Sequence, residues 1–339
     1  MKLTINASKI YDIIIAEDFS AFPAACKNFY AGRKILIVTD DNVKSLYLSS
    51  FKNILQDEEV FVYALESGEK SKTPENLIKI VEFMAENGFT RKDTVITLGG
   101  GVVGDIGALA ASVYMRGVTL IAVPTTLLSM VDSSVGGKTA VDLKQGKNLL
   151  GTFYQPDAVY IDTACVKTLP RREIICGMGE IIKYALLDCR ISESDLENVS
   201  DELIYKCLSI KKEIVESDER ESGKRMLLNL GHTAGHAAES LSGYELSHGE
   251  SVLIGLKYAI DFSARYFSLP EAVVNEMLSL LNRAGKISDK KFILTDIIKR
   301  ISSDKKRDGN YINFVALKGR GKPVIVKIDI KTLGEMLNR

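Results

Sequence analysis

The 339-residue chain has no net charge: 44 Lys and Arg offset 44 Asp and Glu. A neutral chain lacks the electrostatic footprint of a nucleic-acid binder, although local basic clusters suited to a small anionic substrate remain open. Cysteine is scarce and unpatterned. Cys26, Cys165, Cys176, Cys189 and Cys207 are odd in number, widely scattered and form no Cys-x-x-Cys, which points to free thiols in a reducing compartment. No apolar run is long enough to cross a bilayer. Residues 117–131 come nearest, and Pro124 with polar threonines interrupts them. The N-terminus, MKLTINASKIYDIIIAEDF, has one early lysine but no continuous apolar core, unlike a signal peptide. Internal repeats and low-complexity tracts are absent. The expectation is a soluble, cytoplasmic protein with neither nucleic-acid nor membrane partner.

Histidine is rare too, and its placement is informative. His232, His236 and His248 are the only three and fall within seventeen residues. Imidazole is the commonest protein ligand for borderline metals and titrates near neutrality, so such crowding suggests one chemical site. His232 and His236 stand at i, i+4, on one face if a helix includes both, which makes them a natural ligand pair. Gly231 precedes His232, however, and a residue at a helix start can point elsewhere. The remaining ligand should be a carboxylate or cysteine. Glu180 fits, since it lies in apolar helical text where a carboxylate is costly unless paired or coordinated. Lys183 follows three residues on. Two histidines and a glutamate leave an open position on Zn²⁺, as catalytic zinc requires. A metallohydrolase would use similar ligands, but His-Glu-x-x-His is missing.

The length suggests two domains, and the rhythm of the chain changes midway. Up to about residue 168, short Val- and Ile-rich runs (34–40, 93–98, 118–123) alternate with amphipathic stretches such as 74–87. This alternation predicts a Rossmann-like α/β domain over 1–168, with a mostly parallel sheet whose ligands bind beyond the strand carboxyl ends. Beyond it, 171–188, 201–217, 233–242, 248–267 and 270–284 have helical spacing, so 169–339 reads as a mainly α-helical domain with a short strand near 313–317.

The run 93–98 leads into Gly99-Gly-Gly-Val-Val-Gly-Asp105 and then small-residue helix text. Gly99, Gly101 and Gly104 satisfy G-x-G-x-x-G in the strand–turn–helix context that a dinucleotide fingerprint needs. Glycines let backbone amides approach a pyrophosphate, and a helix N-terminus adds partial positive charge. The expected acid after the next strand is missing, for that strand ends at Pro124-Thr125-Thr126; Asp40 ends an earlier one. Ser67, Gly68, Glu69, Lys70, Ser71 and Lys72 offer further polar contacts. Residues 132–148 are too polar and glycine-rich for a core element and carry Lys138, Lys147 and Asn148. Their Gly-Gly-Lys-Thr lacks the spaced leading glycine of a P-loop. Arg225 and Asn229 precede the histidines, Lys211 lies on an earlier helix, and Lys305-Lys306 stands near the end. Arg can grip a carboxylate with two parallel hydrogen bonds, while Lys suits phosphate as a point charge.

The blocks GGGVVGD, YMRG, PTTLLSMVDSSVGGKTAVD, KNLLGTFYQP, LPRREIICGMGEIIKYALL, RMLLNLGHTAGHAAE and LSHGESVLIGL closely resemble the 3-dehydroquinate synthases, members of the sugar-phosphate cyclases. The match runs in order over nearly the whole chain. It implies a dehydroquinate synthase-like fold, with the active site between an NAD-binding α/β domain and a helical domain. It implies a homodimer and a metal, Zn²⁺ or Co²⁺, on Glu180, His232 and His248, which moves His236 from the metal to the substrate. NAD contacts are implied for Asp40, the 67–72 loop, Gly100, Gly101, Val102, Val103, Gly104, Asp105, Thr125, Thr126, Lys138, Lys147 and Thr168. Substrate contacts are implied for Asp132, Lys138, Asn148, Lys183, Lys211, Arg225, Asn229, His236 and Lys306. Arg116 is expected to reach a phosphate, from the partner subunit if the site is shared. The implied activity is that of a carbon–oxygen lyase acting on a phosphorylated sugar acid in the shikimate route to chorismate and aromatic amino acids. Related cyclases differ at the positions of Arg225, Asn229 and His236, and here all three resemble the dehydroquinate type. The rival readings are another sugar-phosphate cyclase or a metal-dependent NAD polyol dehydrogenase of similar fold.

Overall fold

A computed structural model describes residues 1–285, 290, 292–302 and 309–337. The chain divides into two compact units, Met1–Leu169 with Lys211–Glu219, and Pro170–Ile210 with Arg220–Arg339. The change of rhythm near residue 168 gives no sign that Lys211–Glu219 groups with the first unit.

The first unit is built on a seven-stranded sheet of order β1-β2-β9-β6-β5-β3-β4. Its strands are β1 (Lys2–Asn6), β2 (Ile10–Ala16), β3 (Lys34–Asp40), β4 (Glu59–Leu65), β5 (Thr94–Gly99), β6 (Thr119–Pro124) and β9 (Ala158–Asp162). Only β1–β2 is antiparallel; every other neighbouring pair is parallel. Burial explains the sequence patterns. All of β5 and β9 is buried, so apolar residues dominate both and no alternation shows, as in strands covered on both faces. The edge strand β1 alternates exposed and buried residues, which marks one-sided cover and explains its weak apolar signal. The chain leaves β3 for β4 on one side and then crosses to β5 on the other, with helix Pro74–Glu86 in between. The strand order therefore reverses between β3 and β5, where ligands of open α/β sheets bind.

A second sheet of the unit is a hairpin, β7 (Lys138–Leu143) with β8 (Gly146–Phe153). The polar composition of 132–148 hides it. Val141 enters the core beneath helix Gly101–Val113, but Asn148 through Phe153 are all exposed.

The second unit is mainly helical, as its spacing predicts: Arg171–Leu187, His232–Leu241, His248–Tyr266, Glu271–Asn282, Leu294–Ser302 and Ile330–Leu337, with the first part of Asp201–Ser217. One antiparallel hairpin accompanies them, β10 (Tyr311–Leu317) with β11 (Pro323–Asp329); the sequence signals only its first strand. The His248–Tyr266 helix lies at the centre. Val252, Leu253, Leu256, Ala259, Ile260 and Phe262 are buried at helical spacing, and Phe262 meets Phe314 of β10 edge-on, ring centroids 4.8 Å apart. Among the described residues, no helix is long and apolar enough to cross a membrane.

Candidate functional site

In the first unit the site is mostly backbone. Strand β5 ends at Gly99, Gly100 is the N-cap of helix Gly101–Val113, and that helix has no side-chain cap. Its first N–H groups are thus left to a ligand or solvent. The glycines divide the work differently from the fingerprint spacing. A Cβ on Gly104 would meet nothing within 4 Å, while one on Gly107 would sit 2.5 Å from Thr97 Cγ2 of β5. Gly107 therefore permits close helix–strand packing, and Gly104 keeps one side of the first turn open. Val103 is fully buried beneath Gly99, which leaves only its backbone to face a ligand. Thr125 follows the neighbouring strand β6, and its hydroxyl is buried without a hydrogen-bond partner; Ser134, on the wall of a cavity that also includes Gly100, Gly104, Asp105 and Lys138, has another such hydroxyl. An open glycine turn with orphaned hydroxyls beside it fits a phosphate-bearing dinucleotide. Asp40, at the end of β3, accepts from Val43 N at 3.0 Å and caps a short helical turn.

Lys72 anchors a polar cluster near this turn. Its ammonium is 2.5 Å from Asp105 and donates to Asn148 Oδ1 at 2.5 Å, with Glu69 at 3.9 Å. Lys147 is also 3.9 Å from Glu69. Burial pushes the Asp105 carboxyl up in pKa despite the adjacent ammonium. Burial pulls the Lys72 ammonium down, but Asp105 and Glu69 outweigh it and the net direction is up. Asn148 holds a left-handed backbone, φ 54°, and its N–H donates to Asp142 Oδ1 at 2.7 Å. Of the 67–72 loop, only Ser71 and Lys72 are buried; Ser67, Gly68, Glu69 and Lys70 are exposed. Lys211 donates to the Asp132 backbone carbonyl at 2.6 Å and pairs with its carboxylate. Exposed Thr168 hydrogen-bonds Tyr47. Arg116 is exposed and left-handed, φ 68°, in the turn Tyr114–Arg116.

In the second unit the site is made of side chains, and small residues bring them together. Each of the three candidate donors sits beside a glycine: Glu180 after Gly179, His232 after Gly231, His248 before Gly249. A Cβ on Gly249 would lie 2.0 Å from the Cys176 carbonyl oxygen, and one on Gly255 would lie 1.8 Å from that of Gly231. Hydrogen atoms alone fit there, so helices Arg171–Leu187 and His248–Tyr266, and the start of His232–Leu241, approach backbone to backbone. Ser247 fixes the start of the long helix with a capping box: it accepts from Glu250 N, while Glu250 accepts from Ser247 N at 2.8 Å. His248 thereby occupies the first helical position.

The result is a converging donor set. One atom each from Glu180, His232 and His248 lie within 4.8 Å of one another. Glu180 Oε1 is 2.9 Å from His248 Nε2 and 3.3 Å from His232 Nε2, and its other oxygen pairs with Lys183. Both Glu180 and Lys183 are buried, at 0% and 1% exposure, so this is not the surface pair that Glu–Lys spacing ordinarily makes. Burial would lift the Glu180 carboxyl in pKa, but Lys183 and His232 outweigh it and hold it well below the usual carboxylate range. Burial lowers His232, keeping a neutral donor. At His248 burial acts downward, but the Glu180 hydrogen bond prevails and raises it. His232 Nδ1 faces the Leu230 carbonyl at 3.2 Å, an outer contact that favours the tautomer leaving Nε2 as donor. The donor types suit Zn²⁺ or Co²⁺.

His232 does open its helix after Gly231, which is left-handed at φ 79°. The i, i+4 pairing with His236 corrects itself here. The rings are 5.4 Å apart, but it is His248, not His236, that meets Glu180 with His232. His236 groups instead with Glu239 and His248. Arg225 is 2% exposed in the 3₁₀ turn Lys224–Asn229, and Asn229 donates to Glu221 Oε1 at 2.5 Å. Sequence reasoning missed Glu221 and Glu239. Glu239 had a signal, since it stands seven residues after His232 on the same helix face; Glu221, in loop text, had none. Lys305 and Lys306 lie outside the described residues.

Known proteins match the chain in sequence and fold. A family model described as 3-dehydroquinate synthase N-terminal matches residues 62–176, and one described as 3-dehydroquinate synthase C-terminal matches 177–307. A 3-dehydroquinate synthase of Alkaliphilus metalliredigens is 41% identical over 334 residues, 94% of this chain and 93% of the relative. A solved 2-deoxy-scyllo-inosose synthase complexed with carbaglucose-6-phosphate, NAD⁺ and Co²⁺ superposes with TM-score 0.87 at 26% identity, over 99% of both chains. The 2-epi-5-epi-valiolone synthase of Streptomyces hygroscopicus subsp. jinggangensis, with NAD⁺ and Zn²⁺ bound, gives 0.86 at 25% identity, over 100% of this chain and 98% of its own.

Proposed function

The chain belongs to the 3-dehydroquinate synthase family, and from that premise we propose that it converts 3-deoxy-D-arabino-heptulosonate 7-phosphate to 3-dehydroquinate and inorganic phosphate. The observation that carries the reading is the buried Glu180–His232–His248 donor set, with Lys183 paired to its carboxylate. The reaction is a lyase sequence: transient oxidation of a carbinol, loss of phosphate, return of the hydride, ring opening and aldol closure. When bound, NAD⁺ supplies a hydride acceptor that is regenerated, and a divalent cation supplies Lewis acidity that favours an alkoxide.

The chain's own groups do the rest. Glu180, His232 and His248 would hold the cation, and cyclases of this fold are solved with Co²⁺ and with Zn²⁺ bound. The glycine turn from Gly100 to Asp105 would hold NAD⁺ through its backbone N–H groups, with Asp40, Lys72, Thr125, Thr126, Lys147 and Thr168 as further contacts. Asp132, Lys138, Asn148, Lys183 and Lys211 contact the substrate, the lysines holding its charged groups, Arg116 reaches the phosphate, and Arg225, with Asn229 beside it, grips the carboxylate in two parallel hydrogen bonds. His236, its ring 5.4 Å from that of His232, is the imidazole beside the donor set that would move a proton at the substrate.

The same reading includes a homodimer. Among the described residues β8 pairs with no strand but β7, and Leu149, Leu150 and Phe153 on it are exposed, as are Val113 and Met115 nearby. Thr152 Oγ1 donates to Ser112 Oγ at 2.9 Å and ties the two stretches together. An open strand edge with exposed apolar side chains favours a protein partner. A second copy seated there would have exposed Arg116 at its border.

The test incubates purified protein with NAD⁺, Zn²⁺ and the heptulosonate phosphate and follows phosphate and NADH together. Phosphate release without net NADH is expected. Accumulating NADH would instead identify a polyol dehydrogenase, and the absence of phosphate release would remove the cyclase reading.

A further inference from the structure

Two of the three metal donors have an orienting partner in view. Glu180 has Lys183, and His232 turns Nδ1 to the Leu230 carbonyl. His248 directs Nε2 at Glu180, which leaves its other nitrogen to be accounted for. Glu239 answers this. Its side chain is buried, 6% exposed, in a helix whose Ala234, Ala237 and Ala238 are buried too, and it stands on the face that carries His232 and His236. A carboxylate in such surroundings is costly unless it has a polar task. A Glu239 oxygen, a His236 ring nitrogen and a His248 ring nitrogen lie within 4.8 Å of one another, a span that a direct contact or one bridging water can cover.

We propose that Glu239 is a positioning residue, holding the outer nitrogen of His248 so that Nε2 faces the cation with Glu180 and His232. A carboxylate behind a ligating imidazole fixes its tautomer and raises its basicity. The inference rests on the metal reading of the Glu180–His232–His248 set. Its alternative is that Glu239, three residues after His236 on one helix, serves His236 alone.

Cobalt(II) titrated into chelator-treated protein separates these, with visible ligand-field absorption reporting the ion's surroundings and calorimetry reporting NAD⁺ binding. Wild type is expected to take up about one equivalent and His248→Ala to lose the tight site. Glu239→Gln should bind cobalt about 10–100-fold more weakly, with a shifted ligand-field band, while NAD⁺ affinity and the apo unfolding midpoint stay put. Glu239→Asp should recover part of the affinity. Cobalt affinity and spectrum unchanged in Glu239→Gln, with His248→Ala still losing the ion, would overturn the positioning role and leave the metal set standing. Collapse of the helical circular-dichroism signal in Glu239→Gln would overturn it too, by showing that the carboxylate serves the fold. Failure of wild type to bind cobalt would reject the metal reading itself.

Discussion

The glycine turn of the first unit and the histidine cluster of the second solve opposite problems. A dinucleotide site of this kind is made of backbone: strand ends, N–H groups at a helix start and residues small enough to leave space. Its charged pair keeps one partner in touch with water: Lys72 is buried, but the Asp105 side chain is 22% exposed. A metal site is made of side chains, and those of Glu180 and Lys183 are almost fully buried. The first tolerates graded change because water can replace what is lost. The second does not, because desolvated charge has no substitute partner. Glycine itself differs in meaning between them. At Gly104 it keeps a space empty; at Gly249 and Gly255 it lets two backbones touch.

The largest expected effect tests that last contrast. Gly249→Ala puts a Cβ 2.0 Å from the Cys176 carbonyl oxygen, so the helices must separate, at a cost of about 3 kcal/mol or more. The displaced helices carry Glu180 and His248, and metal uptake should fall with stability. Chemical denaturation and metal analysis check both; a stable Gly249→Ala that keeps its metal would erase the distinction.

Next, the two buried lysines should behave unequally. Lys183→Ala strands the Glu180 carboxylate and should cost about 3–5 kcal/mol in chelator-treated protein, with part restored on adding Zn²⁺, whose charge replaces the lost ammonium. Lys72→Ala leaves Asp105 partly hydrated and should cost only about 1 kcal/mol, with no recovery from Zn²⁺. Urea midpoints with and without chelator measure both, and equal losses would mean the two sites share one dielectric character.

The smallest effect has the opposite sign. Gly104→Ala occupies open space in a helix, so the cofactor-free protein should gain up to about 1 kcal/mol of stability. NAD⁺ binding, measured by calorimetry, should weaken as the methyl enters the cradle. A stabilised variant with unchanged NAD⁺ affinity would show that the space does not serve the cofactor.

Much of this was readable along the chain. Strands 34–40, 93–98 and 118–123 are apolar because both faces are covered, and helices of the second unit keep their spacing because one stripe is buried. The hairpin at 138–153 was not readable: its outer strand contacts no core, so no apolar periodicity marks it. Strand β1, covered on one face, left too faint an alternation. For the proposed metal donors, spacing put His232 and His236 on one helix face, as the helix His232–Leu241 does, while the structure brings His248 to Glu180 beside His232. Which imidazole meets Glu180 depends on how closely two helices approach, and the glycines that set that distance lie seventy residues apart in sequence.

By itself, the amino-acid sequence determined the local states and the chemistry on offer: a glycine turn between strand and helix, a carboxylate in apolar helical text, and imidazoles at helix starts. These follow from backbone sterics and side-chain type, which act over a few residues. Only the tertiary structure decided that β3 and β5 flank the reversal of strand order, that His248 and His232 share Glu180, and that Glu239 gathers with His236 and His248. Those outcomes depend on close packing between distant segments, where a single methyl group changes the distance between helices.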